Sequence, residues 1–145
     1  MKIDKNNINI SLFKHSIPIQ IRYADIDMQK HVNNSVFLSY IEQGRVEYLN
    51  TILPENDFQE NGLIIARTEI DYFEPIFLNE KIFCYTRISS IRNKSFIFEN
   101  VLISENKSIK CFAKSIMVCF NYNLNSTILV PDNWKKAIAS FEQFQ

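Results

Sequence analysis

Over residues 17–23 the apolar residues Ile17, Ile19, Ile21 and Tyr23 alternate with Pro18, Gln20 and Arg22, the period of a strand with one buried face. Pro18 suits the start or the edge of such a strand, where its missing N–H is tolerated. Past Asn33 and Asn34 the spacing changes. Val36, Phe37, Tyr40, Ile41, Gly44, Tyr48 and Leu49 recur at helical intervals and predict one helix of about five turns over residues 35–53. Either asparagine can cap its first turn, and Pro54 supplies the stop.

After a polar loop at 55–61, four β-rich runs cover residues 62–73, 80–91, 95–104 and 108–122. In the first, Ile64, Ala66, Thr68, Ile70 and Tyr72 share a face opposite Arg67, Glu69 and Asp71; in the second, Ile82, Cys84, Thr86 and Ile88 share one. The short links 92–94 and 105–107 imply antiparallel neighbours. In the last run the small residues Cys111, Ala113, Ser115 and Cys119 have one parity, which would let a helix approach closely. Trp134, Ala137, Ile138 and Phe141 follow Asp132 at helical spacing, so a short amphipathic helix is expected within 131–144. The order is that of an α+β fold with one central helix on a curved sheet. No repeat or linker interrupts it, so residues 1–145 are read as a single domain.

Composition narrows the class. A 145-residue chain with 46% hydrophobic residues can bury an ordinary core. Sixteen basic residues balance sixteen acidic ones, so the field that drives general nucleic-acid binding is missing. No stretch reaches the ~18 apolar residues of a membrane span, and the first ten residues do not read as a secretion signal. Cys84, Cys111 and Cys119 lack the close spacing of zinc or redox motifs, and each sits in an apolar run; buried thiols in a reducing compartment are the simplest reading. A cytoplasmic protein is expected, with no nucleic-acid partner and no membrane.

Asp25 and Asp27 continue the odd-numbered series of the first strand. A buried carboxylate costs several kcal/mol in effective terms, roughly, unless donors or a charge compensate. A helix begins just past Val32, and its first amides have no intrahelical partners. A carboxylate facing that end, with His31 nearby, suits acyl transfer to water. The carboxylate deprotonates the water or attacks the carbonyl itself, while the amides hold the oxyanion. A thioester fits, because its thiolate departs without strong protonation. Other readings stand beside this one: both aspartates as turn residues, His31 as a hydrogen-bonded core or turn residue, Asn33 and Asn34 as caps, or Asp25, Asp27 and His31 as metal ligands. Glu42 and Arg45, three apart, would form an ion pair by default. Arg92, Lys94, Lys107, Lys110 and Lys114 could meet phosphates, and solvated turns and an exposed strand face explain them equally well.

The run from Arg22 through Tyr23, Ala24, Asp25, Ile26, Asp27, Met28, Gln29, Lys30, His31 and Val32 to Asn33 and Asn34, followed by Phe37, Tyr40, Glu42, Arg45 and Glu47, resembles the active-site segment of the hotdog-fold acyl-CoA thioesterases of the 4-hydroxybenzoyl-CoA thioesterase-like family. The resemblance implies a long helix wrapped by an antiparallel sheet of about five strands, in a homodimer or homotetramer with sites near the joint between subunits. It implies hydrolysis of an acyl-CoA to free acid and CoA, with catalytic Asp27 and His31, substrate-binding Gln29, Asn33, Asn34 and Ser35, and no metal or bound cofactor. Asp25 falls on the less constrained position. The segment is also similar to plant acyl-carrier-protein thioesterases. Their Asp-x-Asn-x-His pattern would fall on Asp27, Gln29 and His31, and their Glu-Cys pair on Glu74 and Pro75, so the asparagine and the cysteine are both replaced. Many family members carry glycine where this chain has Lys30. The rivals are an acyl-acyl-carrier-protein thioesterase, a non-catalytic acyl-thioester-binding hotdog protein, and a hotdog hydratase or dehydratase.

Overall fold

The computed structural model describes residues 3–144. Strand β1 (His15–Ile19) leads through a single 3-10 turn at Tyr23–Asp25 to helix α1 (Asn34–Ile52). Strands β2 (Gly62–Tyr72), β3 (Ile82–Ile91), β4 (Ser95–Ser104) and β5 (Ile109–Asn121) follow, then the two-residue β6 (Ser126–Thr127) and helix α2 (Asp132–Glu142). All pairings are antiparallel, in the order β1-β3-β4-β5-β2, with β6 added to β5 beyond the end of β4. This is the hotdog arrangement expected from the resemblance: α1 lies on one face of the sheet and buries Phe37, Tyr40, Ile41, Gly44, Tyr48 and Leu49 against it.

The first strand ends earlier than its alternation predicts. β1 pairs only with β3, and Ile19 already faces Ile82, the first residue of β3, so the chain runs out of ladder there. It then turns off the sheet, and Tyr23, expected on the buried face, is 85% exposed. Pro18 does sit on an edge strand, as its missing donor requires.

In β2 a register shift between Ile65 and Arg67 breaks the predicted even-numbered face at Ala66. Before it Leu63 and Ile65 pair with Cys119 and Met117; after it Thr68 and Ile70 pair with Ser115 and Ala113, so the inward parity changes from odd to even. The small face of β5 is buried as expected. The closest approach of α1 is elsewhere, however, where Gly44 sits over Cys84 and Thr86 on β3 and Asn100 on β4.

Residues 3–14 lie on the other face of the sheet. Phe13 is buried with Val101, Ile103 and Phe112, and Ile3, Ile8 and Ile10 pack against them, so the arm covers the apolar face that α1 leaves bare. The helix α2 closes one end of the core: Trp134 and Ile138 are fully buried, and Glu142 accepts from the Tyr48 hydroxyl and the Ile88 amide. Cys84, Cys111 and Cys119 are free and buried; burial pushes the Cys84 thiol up to about 11 and Cys119 up to about 12. Among the described residues no helix is long and apolar enough to cross a membrane.

Candidate active site

Residues 25–33 form a closed loop between β1 and α1. Ile26 and Val32 make an isolated antiparallel bridge; the Asp27 amide donates to the His31 carbonyl at 3.0 Å, and the Lys30 amide to the Asp27 carbonyl at 3.0 Å. The turn so made places Lys30 at φ 68°. That left-handed conformation strains a residue with a Cβ by roughly 1–2 kcal/mol and costs glycine almost nothing. Lys30→Gly is therefore expected to hold or raise stability, by up to ~1 kcal/mol once glycine's greater unfolded freedom is set against the strain. A denaturant melt of the two proteins measures it.

Asp27 is partly buried, its side chain 25% exposed. One oxygen accepts from the Gln29 amide at 2.8 Å, and the other stands 3.9 Å from His31 Nδ1. That separation is beyond hydrogen-bond length but close enough for a water between them or a small closure on substrate binding. The Asp27 carboxylate makes no hydrogen bond to the first amides of α1. Asn33 caps the helix, its side-chain oxygen accepting from the Ser35 amide at 2.9 Å and the Ser35 hydroxyl at 2.8 Å, while the Val36 amide takes the Asn33 carbonyl. Among the described residues the Asn34 N–H has no partner, and it lies on an exposed residue at the positive end of a 19-residue helix.

Asp25, read from sequence as the less constrained aspartate, is the tightly held one. Its side chain is 1% exposed and accepts from the Arg22 amide (2.9 Å), Arg22 Nε (3.1 Å) and Nη2 (2.8 Å), and the Tyr40 hydroxyl (2.6 Å). It shares none of these partners with Asp27. Among the described residues no group of three or more His, Cys, Asp and Glu side chains is placed to hold a metal ion.

Burial by itself pushes the Asp25 carboxyl up, but the hydrogen bonds from Arg22 and Tyr40 and the Arg22 charge outweigh it, so its pKa lies below the ordinary 3.8. The unfolded chain thus takes up this proton first as pH falls. The stability contributed is complete above about pH 4 and is lost as pH drops through the lower folded value. Acid unfolding of the parent and of Asp25→Asn should show it, the variant having lost this part of the acid dependence.

The β2–β3 connection supports the other side of the loop. The Val32 amide donates to the Ile76 carbonyl at 2.8 Å, and Phe77 meets the His31 ring edge-on at 6.3 Å. Glu80 fixes that connection by accepting from the Phe77 amide (2.8 Å) and Lys110 Nζ (2.9 Å). Lys110, expected on an exposed face, is 5% exposed and also donates to the Pro75 carbonyl. Lys110 has the parity opposite to the small residues of β5, and nothing in that spacing pairs it with Glu80 or Pro75.

Between α1 and β2 runs a groove of about 670 Å³, lined by Leu38, Val46, Ile65, Phe98 and Met117 among others. Arg45 and Glu42 also line it, but among the described residues they form no ion pair within 4 Å, contrary to the expectation from their spacing. Burial lowers the Arg45 pKa, and Glu42 opposes that only at longer range. No residue of the 25–33 loop lines the groove, although both rest on α1.

Comparison with known proteins agrees with this architecture. The chain is 22% identical over 143 residues to the acyl-CoA thioester hydrolase YbgC of Escherichia coli, covering 94% of this chain and 100% of the relative. It is 27% identical over 128 residues to the acyl-CoA thioesterase YbgC of Haemophilus influenzae, covering 84% and 92%. A crystal structure of a Thermus thermophilus thioesterase complexed with coenzyme A and Zn superposes with a TM-score of 0.82 at 26% identity, covering 92% of this chain and 97% of that one. Residues 21–138, which hold the Asp27 loop, α1 and the whole of β2 to β5, match the family model described as thioesterase-like, and the chain belongs to that superfamily.

Proposed function

We propose that this protein hydrolyses an acyl-CoA thioester to free carboxylic acid and CoA. The observation that carries the reading is the partly exposed Asp27 carboxylate, pinned by the Gln29 amide next to His31 and within one short loop of the open N–H of Asn34. As general base, Asp27 takes a proton from water as the water oxygen bonds to the thioester carbonyl carbon. The carbon–sulfur bond then breaks, and the proton returns to the departing thiolate. As nucleophile, it bonds to that carbon itself while the carbon–sulfur bond breaks and CoA leaves as the thiolate; water then cleaves the mixed anhydride, which frees the acid, restores the Asp27 carboxylate and supplies the proton that the thiolate takes up. In either case the Asn34 N–H and the helix end stabilise the oxyanion. His31 orients the carboxylate or the water; Gln29, Asn33 and Ser35 line the thioester's approach. CoA arrives as part of the substrate, and no resident cofactor is needed.

The reading is supported by the names of the bacterial relatives and by coenzyme A in the Thermus structure. The acyl group would lie in the groove along α1. The outer edge of β2 is unpaired, with Ile64 and Ile65 exposed on it, and Leu38 and Val46 stand exposed on the adjacent face of α1. A bare edge beside apolar surface is a pairing site. Joining two copies there, as a homodimer or as half of a homotetramer, would close the groove. We read residues 1–145 as one such domain acting in the cytoplasm, in keeping with three buried free thiols.

The test is thiol release across short, long and aromatic acyl-CoAs, with the mass in solution measured alongside. Release from at least one substrate by an assembly of two or four chains is expected. Folded protein that binds acyl-CoAs and releases no thiol would instead be a binding module. Release only from acyl-acyl carrier protein would change the carrier, and altered unsaturation with the thioester intact would make it a hydratase or dehydratase.

A further inference from the structure

Asp25 is tied to α1 twice. Its carboxylate accepts from the Tyr40 hydroxyl in the second turn, and its backbone carbonyl accepts from the amide of Asn33, the N-cap, at 2.9 Å. Asp27 is two residues away in the same loop, itself held to the return strand through His31. We propose that Asp25 and Tyr40 are positioning residues: they fix the distance and direction from the Asp27 carboxylate to the open Asn34 N–H. This rests on Asp27 as the group that performs the hydrolysis.

Packing alone does not call for such an arrangement. A buried charged group with its partners often stabilises a fold no better than well-packed apolar groups of the same volume, and removing a partner then costs several kcal/mol, roughly. What four directed hydrogen bonds supply that apolar contacts do not is orientation. The loop they hold bears the reacting carboxylate, where a misplacement of about 1 Å can cost roughly 100-fold in rate. Arg22 completes the cluster from the solvent side, its side chain 72% exposed, so it balances the charge while Tyr40 provides the rigid anchor.

The same chain contains an internal control. Tyr48, two turns further along α1, also donates its hydroxyl to a buried carboxylate, Glu142, at 2.5 Å, but at the end of the helix away from the loop. Tyr40→Phe and Tyr48→Phe each remove one buried hydroxyl bond, so both should lower the melting temperature. Only Tyr40→Phe should reduce kcat, by about 10-fold with KM little changed, because binding surface is retained while the carboxylate moves. Only Tyr40→Phe should speed amide exchange at Asp27 and Asn33, by at least ~10-fold, which reads the clamp without any substrate.

Equal kcat and equal exchange in the two variants would overturn the positioning role, even with Asp27→Asn inactive. Faster exchange in Tyr40→Phe together with a fully active Asp27→Asn would also overturn it, since the clamped residue would then not be the reacting one. If the parent releases no thiol from any acyl-CoA, the proposed function fails on its own. In that case the exchange comparison still decides whether Tyr40 holds the loop.

Discussion

Asp27→Asn should reduce the rate of thiol release at least ~100-fold, equivalent to about 2.7 kcal/mol of lost transition-state stabilisation. The substitution is close to isosteric. The amide oxygen of asparagine can still accept from the Gln29 N–H, so the turn that carries residue 27 retains its side-chain bond. What is lost is chemical: a neutral amide neither takes a proton from water nor attacks a thioester carbonyl. The His31 ring, 3.9 Å away, loses its anionic neighbour as well. The melting temperature should remain near that of the parent, which separates a chemical loss from unfolding. Thiol release from the variant at the parent's rate would remove Asp27 from the mechanism.

The largest expected effect on stability is at Gly44. A Cβ built there would lie 2.4 Å from Cys84 Sγ and 2.7 Å from Thr86 Oγ1, with Asn100 Nδ2 at 3.4 Å. These neighbours are interior side chains on β3 and β4, all fully buried, and the Asn100 amide is already donating to Thr86 at 2.8 Å. Thr86 and Asn100 cannot turn aside without breaking that bond, and Cys84 is fully enclosed. Gly44→Val adds two further carbons and a χ1 restriction, so α1 must lift from the sheet. The cost should reach about 3 kcal/mol, near the upper end for overpacking, and lower the melting temperature by about 10 °C. Gly44→Ala should show the same sign with a smaller change, because alanine's better helix propensity offsets part of the clash. A Gly44→Val protein that melts at or above the parent temperature would show that the helix does not need this close approach.

The long helix was legible because its apolar residues recur at 3.6-residue spacing over five turns, and the predicted and observed bounds differ by one residue at each end. The four long strands were legible for a similar reason, each bounded by polar turns. Two readings failed where a non-local contact overrode the local period. Alternation carried the first strand on to Tyr23, but β3 offers no ladder beyond Ile19, and the chain turned into the Asp25 clamp. Even parity was extended through β2, but the register shift at Ala66 reversed it. At the candidate site, the asparagine pair predicted the helix cap, and Asn33 takes that place. The burial of Asp25 was not legible there, because its partner Tyr40 is fifteen positions away and no local spacing pairs the two.

Residue types and their spacing were sufficient by themselves for the α+β order, the central helix with its asparagine cap, and the antiparallel neighbours, because each is a property of a few consecutive residues. The tertiary structure decided which aspartate is buried and which is presented to solvent, which face each half of β2 turns inward, where α1 touches the sheet, and that the N-terminal arm covers the opposite face. Those outcomes depend on hydrogen-bond partners and steric limits brought together from distant parts of the chain. A carboxylate is buried only where the fold delivers enough donors to replace its water, and here they came from Arg22 and Tyr40 to Asp25.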